Sequence, residues 1–307
     1  MVKRSPGAQR RLCNGMIEFA QWNMRRELSA LWCESFGDPK RIPDYFLNNV
    51  FSPRDCLVYR FGDELAAAVY LLPARILFGS KAEQAHYIFA AATAQKFRSR
   101  GFMSSLLAYA AIVGAKRGDC FSAVLPSDDG LYRFYAAAGY GDFFRVRFAE
   151  TDEAGLRALA RPSGFPGRLL PDMAALNRLR EDCLAKNCGS LLWDDRMFCL
   201  AVSVSRVYGD RFVCAAADGG WAYALCRVEN DTCTVMESFA SGRVFPALAS
   251  AILREAPARH YRFRLPVGDM RFPGEGEPTR FGMLRPLGGR SLTDIPAKVP
   301  YLGLAMD

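Results

Sequence analysis

The sequence predicts a mixed α/β protein of two consecutive units, each a mostly antiparallel sheet flanked by helices. Three observations predict this. The apolar pattern switches from helical to strand period at about Cys56; a strand, a basic turn and an amphipathic helix follow one another after Ala85; and a similar order of elements returns between Arg211 and Leu287. A chain of 307 residues is also about twice a usual domain.

In chain order, Met16–Ala20 reads as a strand, and Met24–Phe36 and Pro43–Phe51 as helices, with Pro43 near a helix start, where its missing N–H costs nothing. Cys56–Phe61, Leu65–Phe78 and Ala85–Thr93 are rich in β-branched, aromatic and small apolar residues. Gly62-Asp63 and Gly79-Ser80 punctuate them, so an antiparallel meander is expected. Met103, Leu106, Leu107, Ala110 and Val113 recur at helical spacing over Phe102–Lys116. A buried strand (Cys120–Leu125), a short helix (Gly130–Ala138) and a strand (Asp142–Phe148) close the first half. Residues 150–170, charged and then rich in Pro and Gly, have the composition of a connection. The expected division is therefore 1–150, a linker at 151–170, and 171–307. The second unit has strands at Arg211–Ala216, Ala222–Glu229 and Thr232–Phe239, a helix at Val244–Glu255, and strands at Tyr261–Val267 and Phe281–Leu287.

The bulk properties narrow the function. The ten cysteines are scattered through apolar runs and read as buried, reduced thiols. Cys183 and Cys188 lack a second pair at zinc-ligand spacing, and the two histidines are His86 and His260, so no metal site is expected. No run of signal-peptide or membrane-spanning length occurs, which gives an expectation of a cytoplasmic enzyme with no membrane partner. The net charge of +8 comes from dispersed Lys and Arg without an aromatic-basic recognition motif. It suits a phosphate-bearing cofactor better than a nucleic acid.

The strongest local signal is the basic loop Arg98-Ser99-Arg100-Gly101 leading into Phe102-Met103-Ser104. The first N–H groups of a helix have no intrahelical acceptor and the helix dipole adds positive charge there, so a diphosphate can be held largely by main chain. Gly101 permits close approach or an unusual φ, and Arg98 and Arg100 supply charge. A basic surface turn would have the same composition. A second signal is Leu131 to Tyr140, an aromatic helix stopped by Gly139; an aromatic pair at helical spacing is most often core.

Together, in this order and at this separation, the two segments resemble the GNAT superfamily of N-acetyltransferases, over about Met16 to Phe148. The family's acyl-CoA motif, R/Q-x-x-G-x-G/A, is matched by Arg98 and Gly101, with Met103 standing where a small residue is usual. Its late aromatic helix is matched by Phe134-Tyr135 and Gly139-Tyr140. The resemblance implies acetyl-CoA as cofactor, contacts to it from Phe89, Ala90, Ala91, Arg98, Ser99, Arg100, Gly101, Phe102, Met103 and Ser104, and Tyr135 as general acid. The acceptor it implies is an amine of a small molecule, peptide or protein. The run Ala90-Ala91-Ala92 leaves room for the thioester arm, and a strand N–H there could serve an oxyanion.

The second unit looks like a diverged GNAT-like domain of a tandem chain, with Phe281–Leu287 as its closing segment. Where a cofactor loop would stand it has Ala240-Ser241-Gly242-Arg243-Val244-Phe245-Pro246, so a non-binding partner that shapes the substrate cleft is expected. Glu83 and His86 are the candidate bases near the loop, with His86 read as structural and a water relay as sufficient. The apolar end Pro300–Asp307 is a candidate for the active site, because the chain end enters it in aminoglycoside-modifying relatives. Without an obvious base, a non-catalytic acyl-CoA sensor is the alternative.

Overall fold

The computed structural model describes residues 15–79, 81–161, 172–217, 219–269, 271–272, 276–295 and 299–306. Strand β1 (Gly15–Phe19) and helices α1 (Arg25–Phe36) and α2 (Arg41–Asn49) precede the meander β2 (Cys56–Phe61), β3 (Glu64–Phe78) and β4 (Lys81–Thr93). Then come α3 (Phe102–Arg117), β5 (Phe121–Val124), α4 (Asp129–Ala137), β6 (Gly141–Asp142), β7 (Arg145–Asp152) and α5 (Glu153–Leu159). The remainder is α6 (Met173–Leu184), β8 (Leu191–Leu192), α7 (Asp195–Tyr208), β9 (Arg211–Ala217), β10 (Gly220–Glu229), β11 (Thr232–Ala240), α8 (Phe245–Glu255), β12 (His260–Leu265), β13 (Thr279–Arg280) and β14 (Met283–Pro286).

Two sheets form, and each contains a strand from the other half of the chain. The first runs β1-β2-β3-β4-β5-β14-β6, with β8 also paired to β3; the second runs β13-β7-β12-β11-β10-β9. Strand β14 lies antiparallel to β5, with Leu284 opposite Ala123, and β7 lies antiparallel to β12, with Ala149 opposite Phe263. The sequence order had put 142–148 with the first unit and 281–287 with the second. Alternation reveals a strand's faces but not its partner. Gly282 makes the entry of β14 possible: it has φ +112°, and a Cβ there would sit 2.8 Å from the Leu302 side chain and 3.1 Å from the Val124 carbonyl.

The expected linker also contains structure. Its first two residues complete β7, and α5 follows, capped by the Asp152 side chain, which accepts from the Gly155 N–H at 2.7 Å. Residues 162–171 lie outside the described residues. Helices α6 and α7, which the sequence reading left unassigned, are capped by Asp172 and Asp194. The thiol expectation holds only in part. Cys56, Cys226 and Cys233 are buried, whereas Cys183 is exposed, and the nine described cysteines are free; Cys13 lies outside the described residues.

The layers follow from which faces are apolar. One face of the first sheet packs on α3 through Leu57, Val69, Leu71 and Ile88 against Leu106, Leu107 and Ala110. One face of the second packs on α5 and α8 through Val213, Val235 and Phe263 against Leu156, Leu248 and Ile252. The inner faces share a single core, in which Trp32 and Phe46 from α1 and α2 belong to the same cluster as Trp193, Phe198, Tyr223 and Phe239.

Within this shared core lies a fully enclosed ion pair. Arg180 Nε donates to both Glu237 oxygens at 3.0 and 3.2 Å, and both side chains are 0% exposed. Burial alone would depress the Arg180 guanidinium; the Glu237 carboxylate more than reverses that and raises it. The remaining valences hold the chain's last described segment. Arg180 donates to the Leu191 and Leu302 carbonyls, the Leu304 N–H donates to Glu237 at 3.0 Å, and Tyr223 donates to Glu237 at 2.8 Å. Trp193 Nε1 donates to the Leu304 carbonyl and Tyr87 Oη to the Ala305 carbonyl.

Two outcomes follow. Glu237→Leu leaves a buried guanidinium unpaired and lowers stability by about 3–5 kcal/mol in urea denaturation. Because the halves exchange strands and share a core, wild-type unfolding followed by tryptophan fluorescence and by far-UV circular dichroism gives one coincident transition; two separated transitions would contradict it.

Candidate active site

The site begins with an irregularity in β4. Ala68 pairs with Ala92 but Tyr70 pairs with Phe89, so Val69 faces two residues, Ala90 and Ala91. This is a β-bulge, and Ala90 takes φ +44°, a left-handed conformation rare for a residue with a side chain. The bulge turns β4 away from its parallel neighbour. Pairing with β5 ends at Ile88 opposite Val124, while β4 continues to Thr93. A wedge opens there, and along it the β5-side edge of Phe89–Thr93 has no strand partner among the described residues.

Around the wedge is a cleft of about 590 Å³, within the usual range for small-molecule sites. Strand β4 supplies Tyr87 to Ala91, the end of β5 supplies Val124 to Ser127, and α4 supplies Leu131, Tyr132 and Tyr135. Trp32, Phe36 and Asp38 enter from the end of α1, Tyr208 from the end of α7, and Arg280, Phe281, Ala305 and Met306 from the last part of the chain. Both halves therefore build it.

Four tyrosines line the cleft, and three have engaged hydroxyls. Tyr87 donates to the Ala305 carbonyl, Tyr132 accepts from the Gly282 N–H at 2.9 Å, and Tyr208 donates to Asp38 at 2.7 Å. The Tyr135 hydroxyl has no hydrogen-bond partner among the described residues. Its ring is held edge-to-face by Phe134 and Tyr140, and Tyr140 is fixed by a 2.7 Å bond to Ser122. Burial, and then the neighbouring Tyr140, push the Tyr135 phenol well above its ordinary range, so it holds its proton.

Beyond the bulge the chain passes through the basic loop. Gly101 is the N-cap of α3 at φ +78°, with no side chain capping the helix and no acidic residue in its first turn. The Ser105 N–H reaches the Gly101 carbonyl at 3.0 Å, and the N–H groups of Phe102, Met103 and Ser104 come before any intrahelical acceptor. Arg98 Nε donates to the Thr93 carbonyl at 3.2 Å, tying the loop to the end of β4, and Arg100 lies over the rings of Phe61 and Phe97. Neither arginine is in an ion pair among the described residues. Two arginines in no ion pair among the described residues, N–H groups without an intrahelical acceptor and a helix N-terminus together suit an anion such as a pyrophosphate.

Residues 20–142 match the family model described as an acetyltransferase (GNAT) domain. This part of the chain is a GNAT domain. Most of the chain shares the fold of solved structures. It superposes on a GCN5-related N-acetyltransferase from Kribbella flavida with a TM-score of 0.68 at 18% identity, covering 89% of this chain and 71% of that one. Eis1 from Mycobacterium abscessus gives 0.65 at 14%, covering 88% and 73%. A tandem GNAT protein from the clavulanic acid biosynthesis pathway gives 0.52 at 14%, covering 91% and 100%. At these identities the likeness is one of fold. No curated protein matches the sequence. In its fold the chain is thus like a tandem GNAT protein, and the family that residues 20–142 match is one of acetyltransferases.

The structure brings Phe89, Ala90, Ala91 and Tyr135 into one cleft. Arg98, Ser99, Arg100, Gly101, Phe102, Met103 and Ser104 stand at the α3 N-terminus beyond the end of β4, outside the lining of that cleft. Sequence reasoning missed Asp38, Trp32, Tyr208 and Arg280. The turn Gly37-Asp38-Pro39 after a helix was a visible signal for Asp38, whereas nothing local marks Tyr208, which arrives from the other half. Met306 lines the cleft, and Asp307 lies outside the described residues.

The candidate bases lie elsewhere. Glu83 is 3.7 Å from Arg290. His86 is 1% exposed, packs on Gly114 of α3 and meets Asp119 through Nδ1 at 2.8 Å, with Nε2 unpartnered. Burial lowers the His86 imidazole despite Asp119. Below the ordinary histidine pKa of about 6.5, the unfolded chain binds a proton that the folded chain resists, so stability falls as pH falls through that range. Thermal melts between pH 7.5 and 5.5 will show a declining Tm, and His86→Gln will flatten the slope; an unchanged slope would remove His86 as its source.

Proposed function

We propose that the chain is an acyl-CoA-dependent N-acyltransferase that moves an acetyl group from acetyl-CoA to a primary amine of a small molecule, peptide or protein, by direct transfer. The observation that carries the reading is the pairing of one free, protonated tyrosine hydroxyl, Tyr135, with a bulge-opened wedge in the same cleft. Acetyl-CoA supplies the acyl group activated as a thioester. Arg98, Arg100 and the N–H groups of Phe102 to Ser104 would hold its phosphates, with Ser99 and Gly101 shaping the turn. Phe89, Ala90 and Ala91 would align its arm along the unpaired edge of β4, where small side chains leave room and an N–H can face the developing oxyanion.

Tyr135 holds a proton at Oη for the departing thiolate sulfur. A raised phenol pKa suits an acid rather than a base at neutral pH, and positioned acid catalysis contributes about 10²–10⁴-fold. Among the described residues no imidazole lines the cleft, so a water relay would carry the amine proton away. That same lack of an imidazole supports a second reading, a module that binds acyl-CoA without turnover. We assign residues 1–150 to cofactor binding and most of the cleft, 151–170 to the connection, and 171–307 to completing the cleft's wall; the loop before α8 has one arginine, Arg243, and a proline, Pro246, in the first turn.

Calorimetry with acetyl-CoA tests the cofactor site. Arg98→Glu combined with Gly101→Glu places two carboxylates at the helix N-terminus and abolishes binding, while wild type at 100 times its Kd gains about 2.7 kcal/mol of stability. Tyr135→Phe keeps the Kd and lowers kcat at least 100-fold in a thiol-release assay over an amine panel. Wild-type turnover in that variant would remove Tyr135 as the acid, and binding without turnover in the wild type would favour the second reading.

A further inference from the structure

The cleft contains one carboxylate, Asp38, and among the described residues it is in no ion pair; Arg227, which lines a neighbouring pocket with Asp38 and Tyr208, pairs with Asp210. Asp38 follows the end of α1 and lines the cleft beside Trp32, Phe36 and Tyr208. Its Oδ2 accepts from Trp32 Nε1 at 2.8 Å and from Tyr208 Oη at 2.7 Å, and both donors are neutral. Oδ1 has no protein partner among the described residues, and Asp38 is in none of their ion pairs. The cleft's other charge behaves differently. Arg280 pairs with Asp129 and lies 3.8 Å from Asp142, with its guanidinium 4.0 Å over the Tyr132 ring.

The surroundings of Asp38 favour a cation further. Helix α1 ends just before it with no basic residue in its last turn, so its C-terminus adds partial negative charge nearby, whereas α7, which ends at Tyr208, carries Arg206 in its last turn. The walls at this end are aromatic faces, which attract cations and pack on apolar bodies. An oriented carboxylate in such a wall, held by two neutral donors, is built to accept a charge-assisted hydrogen bond from outside the protein.

We propose that Asp38 anchors a second positive charge on the acceptor, so that the cleft selects amines with an apolar or aromatic body and two cationic ends over monoamines. The assignment rests on the cleft being the acceptor site, but it concerns recognition and is read by binding rather than by turnover. One ammonium engages Oδ1; the other amine extends towards the wedge, where Tyr135 stands.

The test uses the full chain saturated with CoA and titrates two probes of similar shape, 1,4-bis(aminomethyl)benzene and 4-methylbenzylamine, by calorimetry. The diamine is expected to bind at least tenfold more tightly at low salt. Asp38→Asn, which keeps an oxygen acceptor for Trp32 and Tyr208, brings the diamine to the monoamine's affinity and leaves the CoA affinity within twofold. Equal affinities in the wild type, or a preference that persists in Asp38→Asn, would overturn the proposal. Should the variant not fold, the wild-type comparison still decides, with loss of the diamine's advantage in 0.5 M NaCl as the expected second sign and a salt-independent advantage as the contrary one. A failure of the acyl-transfer reading would appear separately, as absent CoA binding or absent turnover.

Discussion

A guanidinium and a carboxylate withdrawn from water are a liability unless every lone pair and proton finds a partner. In this chain Arg180 and Glu237 meet that demand by recruiting main chain from distant places. Carbonyls of Leu191 and Leu302, the N–H of Leu304 and the hydroxyl of Tyr223 complete the set. The pair sits where the inner faces of the two sheets meet, so satisfying it welds α6, β11, β8 and the last described segment into one body. The cleft depends on this weld, because Ala305 and Met306 form part of its wall and are positioned by the bonds that precede them. A polar contact in the core thereby determines the shape of a surface site.

In the proposed transfer the cleft would draw on backbone irregularity more than on reactive side chains. The bulge at Ala90 places a residue in an unfavourable region of φ, a cost of order 1–3 kcal/mol that surrounding structure must offset. In return, β4 and β5 diverge, and an edge of unpaired peptide groups becomes available within a folded sheet. Gly101 performs a related task for α3, leaving its first N–H groups uncovered. Tyr135, with its hydroxyl unengaged and its ring wedged between two aromatics, is the group that would act through its side chain in the proposed transfer.

Much of the N-terminal half was legible in the sequence because its signals are local. The β2 to β4 meander announces itself through alternating residues and two turn dipeptides, and the loop from Arg98 to Ser104 through its charge, its glycine and the helix after it. The position of Tyr135 follows from a short helix stopped by Gly139. What stayed hidden is what depends on long-range pairing. The pattern of Arg145–Asp152 reports a strand but cannot say that His260–Leu265 is its neighbour, and Met283–Pro286 gives no hint of lying between β5 and β6. The bulge escaped for a similar reason, since a run of three alanines is compatible with a regular strand. Asp38 and Tyr208 are separated by 170 positions, and the bond between them has no trace in either local sequence.

The exchange of strands has a consequence for the order of synthesis. A ribosome releases the first sheet's own strands early, yet the strand that separates β5 from β6 is made after every strand of the second sheet. Until residues 283–286 emerge, the nascent sheet stops at β5 with its hydrogen-bonding edge open, and β7 likewise waits for β12. Open edges of this kind recruit other strands, so the growing polypeptide passes through a long interval in which it is sticky. Slow translation or a premature stop anywhere after the first half would prolong that exposure, and molecular chaperones would carry the burden of shielding it.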